Sequence, residues 1–182
     1  MKLSTLSIAL GCIVAIPQVF GLANPKSFAA TVRKFPRNTA LGWALMLAAT
    51  AWFILYVNQE SDADFASMKP KLLVAFAAIG VGTCIFIQDF LAVRGLAILL
   101  MLLAKLMLDT GRPYLGETPW VLVNQVWAYA LIIAGIWFTI SPHRARDLIE
   151  WGTATEGRIK LTCAVRLAFG LFVAMLGFTV FH

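Results

Sequence analysis

The sequence predicts an all-α, polytopic integral membrane protein, a helical bundle of six transmembrane helices with two short cytoplasmic interfacial helices. Three observations predict it. Apolar residues make up 60% of the 182 positions and charged residues only 13%, with a mean hydropathy of +0.83. Soluble domains run at roughly 45–50% apolar and about 25% charged, and one of this size has too little interior to hide the excess. Six apolar stretches recur along the chain: Leu3–Ala23, Ala40–Val57, Leu72–Gln88, Phe90–Leu108, Trp120–Ile140 and Leu161–Phe181. Each has 17 to 21 residues, and a bilayer-spanning helix needs about 20. Finally, of 15 basic and 9 acidic residues, only Arg94, Lys105 and Arg166 fall inside a stretch. The same numbers exclude disorder, collagen and coiled coil. Three cysteines exclude a disulfide scaffold.

The stretches take 117 residues and leave 65 for turns and tails. The expected organisation is therefore a single transmembrane domain over residues 1–182. Helices are required because hydrocarbon offers no partner to a free backbone amide.

The first stretch also has signal-peptide features, with Lys2, an apolar run and Gly21-Leu22-Ala23 at its end. Cleavage there would leave four basic residues outside the membrane. The charge pattern therefore favours a retained first helix. Asn24-Pro25 follows, and Phe28, Val32 and Phe35 then recur at helical spacing between the bases. Pro25 suits a first helical turn and Pro36 a stop. The segment reads as a helix lying on the cytoplasmic membrane surface. In the second span Ala40, Ala44 and Ala48 form a small-residue stripe expected to seat a neighbouring helix.

From Leu72 to Leu108 the chain is almost uninterruptedly apolar. As one helix it would be about 55 Å long, nearly twice the hydrocarbon core. It must fold back at Gln88-Asp89, with Asp89 as a candidate N-cap of the fourth helix. The fifth span leads to Ser141-Pro142 and a second basic segment, in which Leu148, Ile149 and Trp151 dip into the interface while Arg144 and Arg146 stay wet. Gly170 and Gly177 share one face of the sixth span. Trp43, Trp52, Trp120 and Trp137 lie toward span ends as interface anchors. The order of span, Pro turn, basic helix and span occurs twice. Residue identity between the halves is poor, so the recurrence reads as shared membrane grammar rather than a duplication.

Orientation follows from Lys and Arg. Lys26, Arg33, Lys34, Arg37, Arg94, Arg144, Arg146, Arg158 and Lys160 fall on one side, against Lys2, Lys69, Lys71 and Arg112 on the other. The second side also holds Glu60, Asp62, Asp64, Asp109 and Glu117. The basic side is cytoplasmic, which puts both termini outside. The expected location is a bacterial cytoplasmic (inner) membrane. Lys26, Arg33, Lys34, Arg37, Arg144 and Arg146 are expected to face anionic lipid of the cytoplasmic leaflet or a protein partner, each worth about 1 kcal/mol near such a surface. Nucleic acid is not expected as a partner, because no soluble basic domain is present.

No zinc-binding His-Glu-x-x-His, Gly-x-Ser-x-Gly or phosphate loop occurs. The only histidines, His143 and His182, lie outside the spans, which excludes bis-histidine haem ligation within the bundle. Cys12, Cys84 and Cys163 fall in three different spans and read as packing residues. No catalytic residue, metal site or cofactor is expected.

Polar residues inside spans are the remaining functional hint. Lys105, Asp109, Arg112, Asn124 and Gln125 would line an outward-facing polar pocket between the fourth and fifth spans. Alternatively, Lys105 snorkels and pairs with Asp109 one turn away, and Asn124 or Gln125 bonds a neighbouring helix. At the cytoplasmic end, Gln18, Gln88, Asp89, Arg94 and Arg166 fall at similar depth. Asp89 with Arg94 or Arg166 is expected to form a structural ion pair. Two functions fit. The first is a non-enzymatic accessory or assembly subunit of a membrane complex, held to a protein partner or to a second copy. The second is a small-solute or ion transporter or channel that uses the outer polar pocket.

Overall fold

A computed structural model of the protein describes residues 2–59 and 68–181. Glu60, Asp62 and Asp64, counted above among the outer acids, and His182 lie outside the described residues. Among the described residues the fold is all-helical, with no strand. Eight α-helices follow in order: α1 (Leu3–Ala23), α2 (Pro25–Lys34), α3 (Thr39–Gln59), α4 (Lys69–Phe86), α5 (Leu91–Gly111), α6 (Val121–Ile140), α7 (His143–Gly152) and α8 (Glu156–Thr179). Single 3₁₀ turns follow α2 and α5. Six of the helices, α1, α3, α4, α5, α6 and α8, are long and apolar enough to cross a membrane.

Local chemistry explains where these bounds depart from the apolar stretches. α8 starts five residues before Leu161, because the Thr155 hydroxyl accepts from the Arg158 amide (3.3 Å) and Glu156 sits in the first turn. Both features stabilise a helix N-terminus with polar residues, which hydropathy does not register. α4 likewise takes Lys69 and Pro70 into its first turn, where proline's missing N–H costs nothing. Between α4 and α5 the chain breaks over residues 87–90. Asp89 is not the cap. Phe90 precedes α5 in the left-handed region at φ 54°, and the Val93 and Arg94 amides donate to its carbonyl. An aromatic residue there costs about 1–2 kcal/mol.

The chain groups into two compact units. One comprises Met1–Lys34, Leu103–Ile132 and Arg146–His182. Its frame is the antiparallel pair α1 and α8. Gly11 faces the Gly170 carbonyl and Ala174, Gly170 faces the Gly11 carbonyl and Ala15, and Gly177 faces Ser4 and Ile8. A Cβ on Gly11 would stand 2.5 Å from the Gly170 oxygen and 2.6 Å from the Ala174 nitrogen. Backbones meet here because neither helix carries a side chain at the crossing. Gly170 and Gly177 thus occupy one contact face, as their spacing predicts. Around the pair, Leu6 and Leu10 of α1 pack with Ala104 and Met107 of α5 and Ala128 of α6. Leu3, Val121, Leu176 and Phe181 form a second apolar cluster.

The other unit comprises Phe35–Leu102 and Ile133–Ala145. Gly42 of α3 meets Leu91 and Ala92 of α5, and Gly95 of α5 meets Leu45 and Met46 of α3. Gly80 of α4 lies on Thr50, and Gly135 of α6 on Ala97 and Met101. Phe53 and Phe76 pack edge to face with centroids 4.8 Å apart. The buried face of α3 is therefore Gly42, Met46 and Ala49. The predicted stripe of Ala40, Ala44 and Ala48 is exposed instead. Every face of α3 is apolar, so periodicity identifies a small-residue stripe but not which way it turns.

Candidate functional site

Five polar residues are expected to line one pocket between the fourth and fifth spans. Asn124, in the first turn of α6, is 2% exposed, and its side-chain nitrogen donates to the Ser7 hydroxyl of α1 at 2.9 Å. Its carbonyl oxygen is buried without a partner. Lys105 donates to Asp109 at 2.8 Å, one helical turn away on α5. Those two side chains are 45% and 44% exposed. Arg112 is exposed and Gln125 half-buried. Asn124 thus bonds α1, while Lys105 pairs along its own helix with Asp109, itself one of the residues expected to line the pocket. Ser7 carried no signal in the sequence, since a serine in an apolar run reads as neutral packing.

The basic residues of α2 and α7 form the second set. Arg33 near the end of α2 donates from Nε to the Thr153 hydroxyl (2.8 Å) and from Nη2 to the Thr153 carbonyl (2.7 Å). The Thr153 hydroxyl in turn donates to the Ile149 carbonyl at 2.7 Å. A guanidinium thus closes the C-terminal end of α7, where carbonyls lack partners and the helix dipole favours a cation. Lys26 lies 3.5 Å from Glu156 at the start of α8. Arg158 stands over the Trp151 ring at 5.4 Å. Arg146 bonds Asp147 at 3.0 Å and approaches Glu150 to 3.7 Å. Three of the six bases expected to face lipid or a partner, Lys26, Arg33 and Arg146, therefore have acceptors within the chain. The side chains of Lys34, Arg37 and Arg144 have no ion-pair or hydrogen-bond partner among the described residues.

Comparison with known proteins brings no relative: no family model, no curated protein and no solved structure matches the chain.

The third set was expected to hold a structural ion pair. Asp89 is exposed in the α4–α5 turn, and among the described residues it pairs with no cation. Arg94 instead lines an apolar cavity between α3, α4, α5 and α6, with its Nε buried and unpartnered. Arg166 is exposed on α8. Gln18, beside the helix-internal Pro17, is buried in α1 with its side-chain oxygen unpartnered. Equal depth along a membrane normal is all the sequence offers for such residues, and it does not imply contact.

The cysteines are free, with Cys84 and Cys163 buried and Cys12 exposed. Cys163 packs against Gly21. Among the described residues no three His, Cys, Asp or Glu side chains gather as a metal site.

Proposed function

We propose that the protein is an integral membrane protein of the bacterial cytoplasmic membrane, with six spans and both termini outside. In this reading it is a non-enzymatic accessory or assembly subunit of a membrane complex. The carrying observation is the apolar surface that α1, α4, α6 and α8 leave exposed. Ile13, Val74, Val126, Ile133, Leu161 and Phe178 are all at least 60% exposed. Surfaces so apolar belong against lipid or another helix. The exposed Ala40, Ala44 and Ala48 suit such a close helical neighbour.

α2 and α7 lie on the cytoplasmic interface in this reading. Arg33 braces one against the end of the other, and Lys34, Arg37 and Arg144 are left to meet anionic lipid or a partner. The pairings of Asn124 with Ser7 and of Lys105 with Asp109 support this reading over transport through the outer polar residues, because the Asn124 amide nitrogen and the Lys105 ammonium each already hold a protein partner.

The test uses the full chain extracted from its own membranes in mild detergent. Replacing Lys34, Arg37 and Arg144 together with Gln should remove about 3 kcal/mol of anionic-lipid attraction, at roughly 1 kcal/mol per base. Retained phosphatidylglycerol per chain should fall, and so should the share of chain migrating as an assembly on a native gel. Unchanged lipid retention together with an unchanged assembly would remove the docking role.

A further inference from the structure

Among the described residues, Arg94 is the one charged side chain in a cavity of about 360 Å³ that is otherwise apolar and threonine-lined. The cavity is polar at one end only. Gly95 packs on Met46, which sets Arg94 at the Met46 level of α3. Gly135 packs on Ala97 and Met101, so one turn further along α6 Thr139 reaches the same level. Thr83 and Ile87 complete this end from α4 and the turn that follows. About two helical turns away along α3, Phe53 and Phe76 close the other end with their rings in edge-to-face contact. Ala49, Ile79 and Ile98 form the walls between.

The polar end has one kind of donor to offer. The hydroxyls of Thr50, Thr83 and Thr139 each donate to a carbonyl one turn back in their own helix, at 2.8 Å. The Arg94 guanidinium is therefore what remains for a ligand. Its Nε is out of contact with solvent and bonds nothing. Asp89, the acid nearest in sequence, pairs with no cation among the described residues. Among the described residues no counter-charge meets it, at a place where burial makes one valuable.

We propose that this cavity binds a single-chain anionic amphiphile, a fatty-acid carboxylate. Its head accepts from the Arg94 guanidinium and its chain lies along Met46, Ile79, Phe53 and Phe76. The volume is within the range of small-molecule sites, about 300–1,000 Å³. One guanidinium at one end of one apolar run matches a single carboxylate head on a single alkyl chain. A small free anion would satisfy Arg94 and leave the apolar walls empty. Ile79 and Ile87 line the cavity and are also exposed, at 62% and 45%, so it opens sideways onto an apolar surface. The amphiphile enters from the lipid phase. Only this route rests on the membrane reading, and incorporation of the chain into lipid nanodiscs reports that reading separately.

The test is equilibrium dialysis of radiolabelled decanoate against the full chain in phosphatidylcholine nanodiscs, with empty discs as the baseline. Saturable uptake near one decanoate per chain is expected. It should weaken at least tenfold in Arg94→Gln, be lost in Ile79→Trp, which fills the cavity from its exposed wall, and be unchanged in Lys105→Leu. Neither decanol nor acetate at equal concentration should displace it. Uptake no greater than that of empty discs would overturn the proposal. So would equal affinity in Arg94→Gln, displacement by decanol, which would mark mere partitioning, or displacement by acetate, which would mark a free-anion site. Should Arg94→Gln fail to fold, retained uptake in Ile79→Trp would by itself overturn the proposal.

Discussion

Gly11→Ala adds one methyl group at the point where α1 and α8 come closest, and its cost follows from the distances. The new carbon would lie 2.5 Å from the Gly170 oxygen, 2.6 Å from the Ala174 nitrogen and 2.8 Å from the Ala174 Cβ. Two of these atoms are backbone, so no side chain can swing aside and the helices must separate. Overpacking of this kind costs about 1–3 kcal/mol. Alanine also restores helix propensity worth up to about 1 kcal/mol, which blurs a single measurement. Gly82→Ala removes the ambiguity. Gly82 sits inside α4 with nothing within 4 Å of its would-be Cβ, so that substitution carries the propensity gain alone. The difference between the two variants isolates the packing cost and should be about 1–3 kcal/mol. The assay is reversible unfolding in mixed micelles by titrated dodecyl sulfate, followed by far-ultraviolet circular dichroism. Gly11→Ala as stable as Gly82→Ala would refute the reasoning and deny that α1 and α8 meet backbone to backbone.

Three further outcomes are expected. Ser7→Ala should cost about 1 kcal/mol in the same assay, since it leaves the Asn124 amide buried without its acceptor. Interhelical hydrogen bonds in membranes average about 0.6 kcal/mol and reach about 1.7. The double variant Ser7→Ala/Asn124→Leu should then cost less than the two single changes summed. Lys105→Leu should be neutral within about 0.5 kcal/mol, because a half-exposed ion pair contributes little; a solute flux in vesicles that this change abolishes would instead favour transport. Arg33→Gln should free α2 from Thr153 and speed limited tryptic cleavage at Lys34 severalfold, with the long helices unaffected. Unchanged cleavage would mean that the two Arg33 hydrogen bonds do not hold α2.

Much of the helix pattern was legible in the sequence. α1 occupies the predicted stretch, Leu3–Ala23, and α6 differs from its stretch by one residue. Length and hydropathy suffice there because abrupt polar or proline-containing segments flank both. α2 and α7 were legible as helices from Pro25, Pro142 and the 3.6-residue recurrence of apolar positions. The start of α8 was not, because a Thr155 cap and a charged first turn extend the helix without adding apolarity. The α4–α5 break was placed correctly to within a residue or two, yet its mechanism was hidden: Phe90 adopts a conformation usually given to glycine or asparagine. Contacts were the least legible. An ion pair one turn apart, Lys105 with Asp109, follows from helix geometry. The Asn124–Ser7 bond spans 117 residues, and nothing in either helix alone points to it. The same holds for Arg33 and Thr153, and for the direction in which α3 turns its alanine stripe.

Six crossings and an inward basic side make up the membrane proposal, and thiol accessibility tests the basic side together with the crossing of α6. The chain is expressed with Cys12, Cys84 and Cys163 changed to Ala, and single cysteines are placed at Glu117, between α5 and α6, and at Arg144 in α7. Intact spheroplasts are treated with a membrane-impermeant maleimide. The account predicts labelling at position 117 and none at position 144 until the membrane is permeabilised. Labelling at 144 with protection at 117 would invert the orientation, and equal labelling of both in sealed spheroplasts would contradict the crossing of α6.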